Sequence, residues 1–291
     1  MIYDVKHVTI YKYESPAAAA QFSLRLTPRQ GRGQRVEAAA IEIEPKPSAF
    51  TQRDDFFGNR VTKARVDAPH RELRIVATSR VTLDRHPPTP QATPAWETIA
   101  ALAASSPTLS PDAPAHGLFP SRLAPLRDEI SAWAVLSFPP GRSALEGAMD
   151  LMKRVQSSFR YDPRATAITT PIAEAFAKRA GVCQDFAHIM IAGLRGLGLP
   201  AIYVSGYVRT IPPPGRPRLE GADASHAWVR VWCGAEAGWI GLDPTNALIV
   251  ARDHVTLAYG RDYSDVSPVD GVFIGSGKHA LTVKVDMKPV G

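Results

Sequence analysis

Cysteine is scarce in this 291-residue chain: only Cys183 and Cys233 occur, so no disulfide framework can staple it. A chain held together without disulfides suits a reducing compartment, and a cytoplasmic location is the expectation. The two cysteines show no Cys-x-x-Cys spacing, and structural zinc needs four ligands, so neither a metal nor a cofactor is expected. No run of about 18 apolar residues could cross a membrane. Met1-Ile2-Tyr3-Asp4-Val5-Lys6 begins as an alternating strand and lacks the charged and apolar regions of a signal peptide. The Gly-x-Ser-x-Gly elbow of a serine hydrolase is missing as well. Charge of one sign is not concentrated. The formal net charge is +6, and residues 1–85 hold 15 Lys plus Arg against 10 Asp plus Glu. Those basic residues are dispersed, with no interleaved aromatics and no nucleic-acid module, so neither nucleic acid nor membrane is expected as a partner.

What the chain does hold is a thiol, an imidazole and a carboxylate at places where elements begin or end. Gly181-Val182-Cys183-Gln184-Asp185-Phe186-Ala187-His188 is followed by Ser225-His226-Ala227-Trp228 and Leu242-Asp243-Pro244-Thr245-Asn246. Phe186, Met190, Gly193 and Leu197 recur at helical spacing, and Gly198-Leu199-Pro200 ends the helix. Cys183 therefore falls in a first helical turn, where unpaired N–H groups and the helix dipole favour a thiolate. Asp185 in the same turn would oppose that thiolate if it pointed inward, so it is expected to turn away and cap or pair. Val229 and Val231 alternate with Trp228, Arg230 and Trp232, which predicts a strand, and residues 239–242 predict a second. An antiparallel hairpin would bring His226 and Asp243 together. A base oriented by a carboxylate, next to a thiol, is the arrangement of a cysteine-nucleophile acyl-transfer enzyme.

Other candidates read as structural. His188 lies five positions after Cys183, about 500° around a helix and off the thiol's face. Cys233 reads as a strand-end filler, and Asn246 as a turn residue rather than a group supporting Asp243.

Residues 1–85 read as short strands separated by turns, with Gly58-Asn59 as a hairpin signal, and suggest a β sandwich. Residues 86–95 are a proline-rich linker. Residues 96–291 form the second unit, with helices near 96–104, 122–133 and 144–159, then strands at 201–208, 226–232 and 239–242. Helices first and antiparallel strands later is an α+β order. The segment 272–285 returns to strand character and could rejoin the first domain. Residues 211–224, rich in proline and immediately before His226, could form one wall of the cleft.

The three motifs resemble those of the bacterial transglutaminase-like proteins of the papain-like cysteine-protease superfamily. The resemblance extends to residues 3–7, 24–29 and 55–59, which are similar to the N-terminal β domain often found with that core. Phe159-Arg160-Tyr161 and Gly260-Arg261-Asp262-Tyr263-Ser264-Asp265-Val266-Ser267-Pro268 also fit, while residues 86–140 show no clear motif. It implies an α+β fold, an N-terminal sandwich followed by a papain-like core whose nucleophile opens a helix packed on an antiparallel sheet. It implies a catalytic triad of Cys183, His226 and Asp243, and it makes Tyr161 a candidate oxyanion donor beside the backbone N–H of Cys183. A peptide or protein is the implied substrate. Resolution of the thioester by water would make a cysteine peptidase or amidase, which the family favours. Resolution by an amine would make a protein-glutamine transglutaminase, with Trp228, Trp232 and Trp239 as candidate walls of an amine tunnel. A non-catalytic peptide-binding module is the remaining alternative.

Overall fold

Alternation of apolar and polar residues sets up the first six strands: β1 (Ile2–Ala17), β2 (Ala19–Leu24), β3 (Gln34–Glu44), β4 (Ala49–Asp54), β5 (Arg60–Val66) and β6 (His70–Leu83). In β1, Tyr3, Val5, His7 and Thr9 point inward in strict alternation. The computed structural model describes residues 1–86, 93–210 and 224–290. After the sandwich strands come α1 (Trp96–Ala104), α2 (Asp128–Ala134), α3 (Ala144–Ser158), β7 (Arg160–Tyr161), α4 (Ile172–Lys178), β8 (Ala180–Gly181) and α5 (Cys183–Gly196). The chain continues as β9 (Ala201–Val208), β10 (Ala224–Trp232), β11 (Trp239–Asp243), β12 (Leu248–Ile249), β13 (His254–Gly260), α6 (Tyr263–Val266), β14 (Val269–Ile274) and β15 (His279–Pro289).

Two four-stranded sheets, ordered β15-β1-β6-β3 and β14-β2-β5-β4, face each other across a core that includes Phe22, Leu24, Val66, Leu73 and Ile75. The second unit is a five-stranded antiparallel sheet ordered β12-β11-β10-β9-β13. One of its faces, through Ala227, Val229 and Val231, packs on α5 and the other helices in the main core. The two units share a third apolar cluster, in which Tyr3, Val81 and Met287 of the sandwich meet Tyr207, Val255 and Leu257 of the central sheet.

Side chains of the sandwich also close the open edge of β13. The Gln34 amide donates to the Thr256 carbonyl at 2.8 Å and accepts from the Thr256 N–H at 2.8 Å. The Asn59 amide does the same at Tyr259, at 2.8 Å in each direction. Backbone groups that a further strand would have satisfied are thus satisfied by two side chains.

Two expectations about the chain's organisation change, and two fall on residues outside those described. The predicted strand over 272–285 is two strands in two sheets: β14 pairs with β2 and β15 pairs with β1. The second helix starts at Asp128 rather than 122, because Pro125 disfavours helical geometry just before it and the Leu123 N–H is drawn to the Asp262 carboxylate at 2.8 Å. The proline-rich linker lies outside the described residues at 87–92, as does the candidate cleft wall at 211–223. Beyond the linker, the Thr93 hydroxyl bonds the Ser143 hydroxyl at 2.6 Å and the Leu145 N–H at 3.1 Å, fixing the chain at the start of α3.

Candidate active site

The start of α5 is built around one carboxylate. Asp185, in the first turn, reaches back to accept from the Val182 N–H at 2.8 Å, and its same oxygen accepts from the Thr166 hydroxyl at 2.7 Å. That satisfies one of the donors a helix start leaves free and turns the charge away from the neighbouring thiol. Gly181 is required there, since a Cβ would lie 2.5 Å from the Asp185 oxygen. Cys183 opens the helix, half-buried against the main core.

The hairpin delivers the imidazole and the second carboxylate. The β10–β11 pairing sets Val229 opposite Leu242, which puts Asp243 opposite Trp228 and diagonal to His226 on one face. His226 Nε2 lies 2.8 Å from Asp243 Oδ2, with both side chains buried. Cys183 is near enough to His226 for its sulfur to favour the charged imidazole. With Nε2 turned to Asp243, Nδ1 is the ring nitrogen left for the thiol. Burial works against a charge on His226, but the hydrogen bonds and charges of Asp243 and Cys183 win and push it up to about 10. For Asp243, burial works upward, yet the bonds from His226 and His254 hold it far below the ordinary carboxylate range. The buried pair is an ion pair waiting for its third member.

Tyr161 stands at the rim. The parallel β7–β8 pairing sets it beside Gly181, two residues before Cys183, with its ring edge-on to Phe186 and 54% of its surface exposed. Burial of the phenol and the nearby Cys183 sulfur raise its pKa.

Residues read as structural take up packing duties. His188 is buried and accepts from the Tyr263 N–H at 3.2 Å. Cys233 is buried, which pushes its thiol up to about 12. Asn246 does more than turn the chain: its Nδ2 donates to Asp243 Oδ2 at 2.8 Å, so it supports the carboxylate directly. Trp228 and Trp239 line one pocket with Arg230 and Tyr259, while Trp232 packs partly buried on the main core. Trp228 is buried across Gly206, beneath His226 and His254, and the Trp239 indole donates to the Asp112 carbonyl at 2.8 Å.

Sequence reasoning missed His254, the first residue of β13, whose Nε2 lies 3.1 Å from Asp243 Oδ2. The signal was a lone polar residue opening the buried run Val255-Thr256-Leu257-Ala258. Among the described residues, His226, Asp243 and His254 have ligand atoms within 4.8 Å of one another, a spacing a cation could exploit. Hydrogen bonds of 2.8 and 3.1 Å to one shared oxygen already account for that closeness.

Comparison with known proteins places these features. Residues 3–82 match the bacterial transglutaminase-like N-terminal region, and residues 138–244 match the transglutaminase-like superfamily. An uncharacterized protein of Mycobacterium tuberculosis is 38% identical over 302 residues, covering 99% of this chain and 92% of its own. A protein-glutamine gamma-glutamyltransferase of Pseudomonas aeruginosa is 33% identical over 103 residues, 33% of this chain and 15% of its own length. A Cytophaga hutchinsonii crystal structure, provisionally described as a cysteine protease, shares the fold with a TM-score of 0.77 at 21% identity, covering 100% of this chain and 92% of its own.

Proposed function

Because the chain belongs to the transglutaminase-like superfamily, we propose that Cys183, His226 and Asp243 act as a catalytic triad that cleaves a peptide or amide bond through a thioester. The observation that carries this reading is the buried His226–Asp243 hydrogen bond of 2.8 Å, beside a Cys183 that opens α5. In this scheme the Cys183 thiolate attacks the carbonyl carbon while the protonated His226 gives its proton to the leaving amine. The C–N bond breaks and a thioester remains. His226, now neutral, takes a proton from water as that water attacks, and the acid leaves with Cys183 restored. Asp243 holds the ring and stabilises its charged form. The Cys183 backbone N–H, at the start of α5, serves as one oxyanion donor, and the exposed Tyr161 hydroxyl as the second.

Water is favoured over an amine as the second reactant. Trp228 and Trp239 line a pocket whose walls include neither Cys183 nor His226, and Trp232 packs on the main core, so among the described residues the tryptophans do not wall the thiol off from water. Amine transfer is the second reading, supported by the likeness to a gamma-glutamyltransferase over 103 residues.

Intact-mass analysis after exposure to iodoacetamide tests the triad. Fast single labelling at Cys183 in the wild type, slowed at least tenfold in His226→Ala, is the expected result. Labelling that is slow, equal at Cys183 and Cys233, and indifferent to His226 would overturn it. Digestion of casein with and without an added primary amine then separates cleavage from transfer.

A further inference from the structure

Five donors converge on the Asp243 carboxylate. Oδ1 accepts from the Thr245 N–H at 3.0 Å and the Asn246 N–H at 3.2 Å, while Oδ2 faces the Asn246 amide at 2.8 Å, His226 at 2.8 Å and His254 at 3.1 Å. An ionised carboxylate offers about four lone-pair sites, so these donors compete. The turn after β11 already anchors the carboxylate without His254. A second imidazole on the same oxygen is therefore surplus to holding Asp243 in place.

We propose that His254 is a positioning residue that takes a share of the Asp243 carboxylate and so limits how tightly Asp243 holds the proton of His226. The inference rests on the triad reading above. His254 can share the carboxylate only by donating, so its proton sits on Nε2. Nδ1 is buried with no hydrogen-bond partner among the described residues, and a proton there would be an unsatisfied buried donor. The ring is held edge-to-face by Trp228, with centroids 5.3 Å apart, and the Arg85 guanidinium pins its backbone carbonyl. The other charged or titratable groups nearby are His226, Cys183 beyond it, and Asp253, which is engaged by Arg209 at 3.7 Å and by the Tyr3 hydroxyl at 2.6 Å.

The consequence is chemical. Hydrogen bonds to a carboxylate favour its charged form and lower its basicity. A carboxylate with one imidazole to serve would hold that proton harder, and an imidazolium that does not release its proton is a poor general acid. His254 keeps His226 able to protonate the leaving amine.

The test compares full-length wild type, His254→Phe and His254→Gln, with fold checked by circular dichroism. His254→Phe keeps a ring against Trp228 but has no donor, whereas the side-chain amide introduced by His254→Gln can still donate. The pH profile of casein turnover, whose alkaline limb reports loss of the His226 proton, should shift that limb upward by about one unit in His254→Phe. Casein turnover should fall roughly fivefold relative to alkylation, because alkylation needs no proton donor. His254→Gln should follow the wild type. A His254→Phe limb superimposed on that of the wild type, with Cys183 labelling still dependent on His226, would overturn this proposal alone. Labelling indifferent to His226→Ala would instead overturn the triad itself. If His254→Phe does not fold, 15N NMR of the wild-type imidazoles decides: a bare Nδ1 and protonated Nε2 at His254 are expected, and a proton on Nδ1 would refute the proposal.

Discussion

Replacing Asp243 by Asn leaves a hydrogen-bond acceptor beside His226 but removes the charge that stabilises its protonated form. Turnover should fall by roughly 10²–10⁴ in Asp243→Asn, and below detection in Cys183→Ala, since only the second removes the nucleophile. Casein hydrolysis by both variants, with matched circular dichroism spectra, checks the order. Residual activity in Cys183→Ala comparable to the wild type would end the thiol mechanism. The same pair also marks stability. His226 has an ordinary value of 6.5 and stands at about 10 when folded. Below 6.5 both folded and unfolded chains carry the proton and the pairing is fully present; between 6.5 and 10 only the folded protein keeps it, so stability falls as pH rises across that window. Thermal melts between those limits should slope downward in the wild type and much less in His226→Ala. Cys183, His226 and Asp243 were readable as types in a suggestive order. The support from Asn246 and His254 was not, because a turn asparagine and a buried histidine look alike in sequence whether or not they meet a carboxylate.

Elements position these side chains through close approaches that sequence only hints at. Gly206 in β9 lies under the Trp228 ring, and a Cβ there would sit 2.2 Å from the Val255 carbonyl and 2.3 Å from the indole. Gly206→Ala should cost about 1–3 kcal/mol or more and tilt Trp228 against both histidines. Chemical denaturation should show the loss, and Cys183 labelling should slow with it. At the other end of the site, Asp185→Ala removes the bond that closes the start of α5 as well as the tie to Thr166. A loss of about 1–2 kcal/mol is expected for the partly buried donors left unpaired. The spans of α1 and α3 follow periodicity closely, since each has one face buried along its length, and β9, buried on both faces, follows its continuous apolar run. The start of α2 and the split of the C-terminal strand segment did not follow it. Pro125 and Asp262 decide the first and sheet pairing the second, and pairing partners more than 200 residues away leave no local trace.

At the scale of the whole molecule, the sandwich and the helix-backed sheet are visible in the sequence as successive patterns, one dominated by alternation and the next by helical spacing. Their union is not visible. It depends on Gln34 and Asn59, polar residues in otherwise ordinary strand and turn settings, meeting β13 across sequence separations of 222 and 200 residues. Gln34→Ala combined with Asn59→Ala should lower the melting temperature by several degrees while leaving each sheet's own hydrogen bonds intact. Differential scanning calorimetry would show it, and an unchanged transition would mean that the apolar joint and the remaining ties from Tyr3, Arg29 and Arg85 hold the units together. Those two amides also act as a stopper. A sheet margin with free N–H and C=O groups is a template on which another chain can add a strand. Residues 93–268, which leave out every sandwich strand including β14 and β15, should therefore self-associate through β13, forming light-scattering assemblies even where the helices around Cys183 have folded.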